Sequence, residues 1–565
     1  PLNRTCDGLY MIHNMSWDDK VVAKYTYQYD DGSEEPVEII QGRHIFNWWK
    51  AEESDVGPII WKGSNVEASG MGLGIKLNMF GFNNPHPEKK VKSLKAEIVS
   101  TTAACMIVAV TAADCGGKGL IMPKKKNKYN PDTSSWYAYE LPDYSKIAGT
   151  ALDVSYLQDR NIDANGFISE KGETFVNAKG EEVNFWGINV SGEAFFKSHE
   201  EIDLLVDNVA ANGYNLVRIM DYDGDYYHPN IFGSYGGTSK VDETALDQFM
   251  YFWAKLKEKG IYIDYCMLGC RYGNTLNSLG GFTSEEMGDI GLGFKFEVYI
   301  DDRLVETTKD LVRTLLTTKN TYTGTTLASD PSLAFVEVAN EHNLSDMYGV
   351  YTSSTNYEFV SEAYKDRFQK LFNSFLLNKY GSNDKLREAW RDPSYTLTGL
   401  KAKENCESGT VEINQAYLKA GYTNQRIGDT FEFLYTLQKG FYDKMYNWSK
   451  DTDELNLKSI VAGTTNLPSN DKNDLYINAA YDYVARHYYM SHPSTGTEFN
   501  VGTASNTISS MVESLGDNIF QYSTKGKVAG KPYLVNEANE AEPNTHTAEY
   551  NILTSAIYSL QRWSI

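Results

Sequence analysis

The sequence predicts two folds in series: an all-β sandwich over residues 1–145 and an α/β unit, a (β/α)8 barrel, over residues 166–565, with 146–165 as a connecting segment. Three observations carry this. The first 145 residues hold short alternating runs broken by Gly, Pro and Asn, the grammar of a sandwich. From residue 183 onward, apolar runs of strand length alternate with stretches of helical period, which means a parallel sheet with helices packed outside. Seven such strands can be counted, and an eighth is beginning as the sequence stops, so the last barrel strand is expected to be cut short.

In the first part, Val21–Tyr29 alternates (V-V-A-K-Y-T-Y-Q-Y) ahead of the turn Asp30-Asp31-Gly32-Ser33, which predicts a hairpin. Glu97–Val110 adds two strand-like runs. Trp48, Trp49 and Trp61 read as core packing at a sandwich edge, with a sugar-stacking platform as the rival reading. Lys124-Lys125-Lys126 with Lys128 sits between Pro123 and Asn130-Pro131 and reads as a solvated loop.

In the second part, Phe175–Val183 predicts a hairpin leading into the strand Asn184–Val190. His199–Asn212 has apolar residues at Ile202, Leu205, Val206 and Val209, a helical period closed by Gly213. Strand Tyr214–Met220 follows, then helix Asp242–Lys259 with Asp242 or Thr244 near its cap, then strand Ile261–Leu268. Helix Arg303–Leu316 precedes strand Leu333–Ala339. The long helical region Glu362–Lys450 is interrupted near Leu400–Tyr422, inside an expected insertion at 392–423. Ser459–Thr464 and Tyr483–Tyr489 are strands, Ile508–Phe520 a helix, Tyr533–Glu537 a strand and Ala548–Gln561 a helix.

Two of these strands end in an acid. Leu333–Ala339 is an apolar run that stops at Asn340-Glu341, and K-P-Y-L-V-N-E stops at Glu537. Chemistry in parallel α/β folds sits where strands end at their C-terminal edge. Two carboxyls there are the minimum equipment for glycosidic bond cleavage. The dipeptide Asn-Glu occurs three times, at 340–341, 536–537 and 539–540, so it is the strand ahead of it that discriminates. Glu540 and Glu542 compete with Glu537, but strand alternation places Tyr533, Val535 and Glu537 on one face and leaves the other two beyond the strand. Glu337 alternates onto the face of Glu341 inside an apolar strand; a buried carboxylate needs a partner, and Arg218 is the expected one.

The ordered set N-F-W-G-I-N-V, N-L-V-R-I, L-K-E-K-G-I-Y-I-D, F-V-E-V-A-N-E, R-H-Y-Y, K-P-Y-L-V-N-E and S-L-Q-R-W resembles glycoside hydrolase clan A, and within it the family 5, cellulase-like proteins, across roughly residues 166–565. Residues 1–145 more loosely resemble the β-sandwich modules attached to such enzymes. The resemblance implies a TIM barrel and a retaining double displacement on β-linked oligo- or polysaccharides, with Glu341 as acid/base and Glu537 as nucleophile. It further implies that Asn340 holds the sugar 2-hydroxyl and Arg218 orients the nucleophile. His487 and Tyr489, two apart and so on one strand face, would line the cleft. Trp563 would offer a stacking floor. Partial desolvation is expected to keep Glu341 protonated while Arg218 keeps Glu537 ionised.

Composition fits and excludes little else. A formal charge of −22 and a pI near 4.9 argue against a nucleic-acid groove, which needs a basic stripe. Forty tyrosines and ten tryptophans suit sugar stacking as well as core. Six cysteines in so long a chain are no disulfide framework, although Cys105 and Cys115, read as flanking a turn-like segment, could pair in an exported protein. No apolar run is long enough for a transmembrane helix, and no signal peptide is visible. The run Asp221, Asp223, Asp225 invites a calcium reading, but Phe232 stands where the twelfth loop ligand should be, so no metal and no cofactor is expected. The expected partner is a carbohydrate, and the expected location is secreted or periplasmic. A catalytically inactive glycan-binding protein and a transglycosylase using the same residues are the alternative functions. The loop Arg271–Gly281 and the 392–423 insertion are expected to narrow one end of the cleft.

Overall fold

The computed structural model describes the chain apart from residues 1, 18–19, 42, 50–56, 64–73, 118–119, 121–146, 225–228, 234–239, 270–281, 284–285, 287–293, 349–356, 358–359, 414–420, 466–471, 491–509, 513–518 and 541–545. Asp225, Lys124–Lys128 and Arg271–Gly281 therefore lie outside the described residues. The chain divides into two compact units, Pro1–Tyr139 with Leu418–Ala420, and Glu140–Tyr417 with Gly421–Ile565.

The described strands of the first unit pair antiparallel. Strands β1 (Gly8–Ser16), β4 (Ile59–Gly63), β5 (Ile75–Asn83) and β7 (Ala104–Ala113) form one sheet in the order β4-β5-β1-β7. Strands β2 (Val21–Tyr29), β3 (Glu34–Ile40) and β6 (Val91–Ile98) form a second, β3-β2-β6. The predicted β2–β3 hairpin is present. Gly32 takes φ 85° in its turn, and Asp31 Oδ1 accepts from Ser33 N at 2.9 Å, a side chain standing in for backbone. Leu9 and Met11 of β1, Tyr25, Tyr27 and Tyr29 of β2, and Phe80 and Phe82 of β5 share one core. His13 is buried among them, its Nε2 donating to the His44 carbonyl and its Nδ1 accepting from Tyr25, each at 2.8 Å. Burial lowers its pKa to about 4, so the ring is neutral at physiological pH.

The cysteine expectation fails here. Cys105 and Cys115 are both free thiols, because the segment between them is strand β7 and not a turn. Ten extended residues span roughly 30 Å, far beyond disulfide reach. Trp48 and Trp49 pack ring on ring at 5.6 Å, whereas Trp61 is 48% exposed on the edge strand β4.

The second unit opens with the hairpin β8 (Ser169–Lys171) and β9 (Thr174–Val176). Strands β10 (Gly187–Ser191), β11 (Leu216–Met220), β12 (Tyr262–Cys266), β13 (Leu333–Asn340) and β14 (Ile460–Thr465) form a parallel sheet in chain order, and β15 (Val484–Met490) pairs in parallel with β16 (Tyr533–Glu540). The last three residues lie between β16 and the start of β10. Ser564 exchanges bonds with Tyr533 and Val535, and Ile565 with Phe185 and Gly187. Inward side chains from these strands, among them Leu216, Tyr262, Phe335, Ile460, Ala485 and Leu534, meet Phe175 of the hairpin and Phe185 in one core.

Helices lie between the strands and start where polar caps start them. Helix α1 (His199–Ala211) has a reciprocal Ser198–Glu201 capping box. Asp242, not Thr244, caps α2 (Glu243–Glu258), and Asp301 caps α4 (Asp302–Thr317), which follows the single turn α3 (Phe294–Glu297). Between β13 and β14 come α5 (Glu362–Tyr380), α6 (Asn383–Ala389) and the 27-residue α7 (Asn424–Lys450). The irregular stretch between α6 and α7 is tied back by a buried two-point ion pair, Arg426 to Glu404 at 2.6 and 2.7 Å. Helix α8 (Lys472–Asn478) follows β14. The helix expected over Ile508–Phe520 falls partly outside the described residues. Met511–Val512 form a turn, and the helix that is described, α9, covers Ile519–Lys525. Helix α10 (Ala548–Gln561) precedes the terminal segment.

Candidate functional site

Strand β13 is buried over its whole length and delivers Asn340 and Glu341 at its C-terminal end. Glu341 leaves the strand in the left-handed region, φ 53°, where a non-glycine residue is uncommon. Its Oε1 accepts from His487 Nδ1 of β15 at 2.9 Å. The same nitrogen stands 3.4 Å from Glu537 Oε2 of β16. One carboxylate oxygen of each glutamate and a ring nitrogen of His487 all lie within 4.8 Å of one another.

Glu537 is fixed from two sides. Arg218 Nη1 of β11 donates to its Oε1 at 2.6 Å, and Tyr489 donates its hydroxyl to Oε2 at 2.5 Å. Arg218 is 2% exposed and uses the rest of its fork on Glu337, bidentately, and on Asn340 Oδ1 at 2.9 Å. Glu337 also accepts from Asn536 Nδ2 at 2.5 Å and Thr465 Oγ1 at 3.1 Å, so this buried carboxylate has the partner its setting demands.

The face expected for Glu537 needs correcting. The register of β15 with β16 slips between Arg486 and His487, so that Asn536 is an extra residue on β16, a bulge. Tyr533 and Val535 pack outward in an apolar cluster with Tyr550 and Tyr558 of α10, while Leu534, Asn536 and Glu537 turn inward. Glu537 reaches the interior because the bulge breaks the alternation that would have turned it outward.

Burial raises a carboxyl pKa, yet at Glu537 it is overcome by the His487 and Arg218 charges and the Tyr489 hydroxyl, which bring it to about 2. Glu341 departs from expectation. Burial again works upward, but the bond to His487 and the charge of its imidazolium outweigh it and hold Glu341 below the usual range, so this carboxyl is ionised in the free site. Asp264 of β12, fully buried 4.0 Å from Arg218, is pushed the other way. Burial and the charge of Glu337 raise it well above the ordinary value and keep it neutral.

Arg218, Asn340, Glu341, His487, Tyr489 and Glu537 thus come together, and Trp563 does not. Its ring is 6% exposed and packs edge-on against Tyr533 at 5.3 Å and against Tyr558 at 5.4 Å, in the cluster beneath α10. Residues 563–565 run beside β16, and the aromatic shares the outward side with Tyr533. Four participants were not singled out from the sequence: Asp264, Thr465, Asn536 and Lys295, whose Nζ donates to the Asn340 carbonyl at 3.2 Å. Asp264 carried a signal, an acid inside the apolar run I-Y-I-D, of the kind that drew attention to Glu337. A cavity of about 300 Å³ lies alongside, lined by Trp186, Asn189, Arg218, Asp264, Asn536 and Asn539 among others.

Glu341, His487 and Glu537 are close enough to hold a metal ion. Their surroundings disfavour one: the Arg218 guanidinium already occupies a Glu537 oxygen, and a dication beside it would meet like charge.

No family model and no curated relative matches the sequence. Solved structures do. The endo-β-1,4-mannanase from Thermotoga petrophila is 16% identical over 68% of this chain and 67% of its own, with a TM-score of 0.37. A family 5 glycoside hydrolase, a mannosidase from Rhizomucor miehei, is 14% identical over 70% and 83%, with a TM-score of 0.36. A β-glucanase from Saccharophagus degradans is 14% identical over 75% and 89%, with a TM-score of 0.33. These three solved structures are a mannanase, a mannosidase of glycoside hydrolase family 5 and a β-glucanase.

Proposed function

We propose that this chain is a retaining glycoside hydrolase that cleaves a β-linked oligo- or polysaccharide through a glycosyl-enzyme intermediate. On this reading, β10–β16 and the terminal segment 563–565 make a (β/α)8 barrel, residues 1–145 make a β-sandwich before it, and the protein works outside the cytoplasm on a polymer. The observation that carries the proposal is the pair Glu341 and Glu537, one oxygen of each within 4.8 Å on the two sides of His487. Retaining enzymes need carboxyls about 5–5.5 Å apart, whereas inverting enzymes leave roughly 6.5–9.5 Å for a water.

Glu537 is the nucleophile. Its depressed pKa keeps it anionic, and Arg218 and Tyr489 aim it by holding both oxygens. Glu341 is the acid/base. Its carboxyl lies within reach of a leaving oxygen, and exclusion of solvent by a bound substrate favours its protonated form, which then donates to the glycosidic oxygen. Glu537 attacks the anomeric carbon as the leaving oxygen takes that proton. Glu341, again anionic, then draws a proton from water, which attacks the same carbon and releases Glu537. Asn340, held on Arg218, presents its amide for a sugar hydroxyl. Mannan- and glucan-type chains are the first substrates to try, given the proteins the chain is similar to. A glycan-binding protein without turnover has no observation in its favour, because both carboxylates are present and poised.

The test uses activated aryl β-glycosides. Glu537→Gln should abolish turnover, azide should restore it to Glu537→Gly with inversion, and the wild-type product should keep the anomeric configuration of the substrate by NMR. Unchanged turnover in Glu537→Gln ends the assignment.

A further inference from the structure

The acid at the end of β13 is held by more than its own hydrogen bond. Asn340 N donates to the Leu268 carbonyl at 2.9 Å, Glu341 N to the Thr465 carbonyl at 2.8 Å and His342 N to Thr464 Oγ1 at 3.0 Å. Leu344 N donates to Gln438 Oε1 at 3.0 Å, and Gln438 is itself fixed on Asp474. The successive peptide groups on either side of the left-handed Glu341 are therefore each anchored to a neighbouring element, two of them to β14. One anchor stands out chemically. The carbonyl oxygen of His342 accepts from two phenols at once, Tyr299 just after α3 and Tyr442 of α7, each at 2.6 Å, while the two hydroxyl oxygens stand 3.2 Å apart.

We propose that Tyr299 and Tyr442 are positioning residues for proton transfer, gripping the His342 carbonyl so that the strained Glu341 backbone presents its carboxyl to the leaving-group oxygen. The inference rests on the reading of Glu341 as acid/base. Tyr442 is fully buried and Tyr299 nearly so, and neither touches the carboxylates directly; they act through one peptide group. A carbonyl oxygen has two lone pairs, and both are used, so the peptide plane is fixed about its C=O axis as well as along it. Loss of one phenol leaves a single bond about which the plane can tilt. Loss of both leaves a buried acceptor without a partner, and the left-handed turn is then free to relax toward an ordinary conformation. Burial raises both phenol pKa values above the ordinary value, Tyr299 further through its neighbour Tyr442, so the donors stay protonated through any workable assay pH. A misplacement of about 1 Å at a reacting group costs on the order of 100-fold in rate.

A positioning role predicts a loss that depends on the leaving group, which a general loss of structure does not. The measurement is kcat/KM for phenyl and 2,4-dinitrophenyl β-glycosides of whichever sugar among mannose, glucose and galactose the wild type turns over. Glu341→Ala serves as the reference. Phenolate needs protonation to depart and dinitrophenolate does not. In the Tyr299→Phe/Tyr442→Phe variant, turnover of the phenyl substrate is expected to fall about 100-fold and that of the dinitrophenyl substrate less than about 5-fold. The single Phe variants keep one bond to the carbonyl and serve if the double variant does not fold; each is expected to show the same asymmetry at about 10-fold. Equal losses on both substrates, with Glu341→Ala still asymmetric, overturn the positioning proposal alone. Absence of asymmetry in Glu341→Ala overturns the acid/base reading and this proposal with it.

Discussion

Replacing Tyr489 by Phe removes one hydrogen bond to Glu537, the proposed nucleophile, and little else, and its consequence can be worked from the geometry. The hydroxyl donates to Glu537 Oε2 at 2.5 Å, and Glu537 sits near pKa 2 because Arg218, His487 and this hydroxyl together outweigh burial. A hydrogen bond to a charged group contributes about 1.5–3 kcal/mol, and one pKa unit corresponds to about 1.4 kcal/mol. Losing the bond should therefore raise the Glu537 pKa by about one to two units, to roughly 3–4. On the proposed mechanism Glu537 must be ionised to attack, so the acid limb of kcat/KM, which reports the free enzyme, should move to higher pH by that amount. The assay is a pH–rate profile on a dinitrophenyl β-glycoside, whose departure needs no acid, so the limb belongs to the nucleophile. A limb that stays in place, or moves to lower pH, refutes the argument that Tyr489 stabilises the anion.

Three further expectations follow from the same structure. Glu537 has a folded pKa of about 2 against the ordinary value of 4.5, so the unfolded chain binds the proton first; stability present above pH 4.5 should be lost as pH falls toward 2, by up to about 3 kcal/mol, and Glu537→Gln should flatten that slope in urea unfolding of the second unit. His13 is also depressed, from 6.5 to about 4, so the first unit should lose up to about 3 kcal/mol between pH 6.5 and 4, and hydrogen exchange of β1 and β2 should accelerate over that window in the wild type and less in His13→Gln. Arg426→Met strips the buried Glu404 of its two-point ion pair, leaving it the Lys401 and Glu412 amides and Lys401 Nζ at 4.0 Å, and should cost about 3 kcal/mol, whereas the double change Arg426→Met/Glu404→Gln should recover most of it, read by thermal melting of the full chain.

The order of elements was legible because the second unit obeys one rule repeatedly: an apolar run of strand length, a polar cap, a helical period. Ser198, Asp242 and Ser361 start helices where their side chains can accept from the free backbone donors. Glu341 was legible because an acid ends an otherwise apolar strand, and Glu337 because an acid inside one must have a partner. What was not legible depends on geometry between strands. The bulge at Asn536 is a property of the β15–β16 pairing and leaves no mark on the sequence of either strand alone, so the alternation that singles out Glu537 does not hold there. Trp563 failed for a related reason: its ring joins Tyr533 on the outward side, which neither its spacing from Glu537 nor the resemblance could reveal. The ionisation of Glu341 was misjudged because burial was weighed without the His487 bond, and that contact joins residues 146 positions apart.

The charges of the cluster have a further consequence when taken together. Arg218, His487 and Lys295 between them hold the carboxyls of Glu337, Glu341 and Glu537 below the ordinary range, while burial and the charge of Glu337 raise Asp264 well above it. Were Asp264 ionised, its charge would draw Arg218 from Glu537 toward Glu337 and Asp264. The raised pKa of this one buried acid is therefore part of how the other carboxylates keep their places.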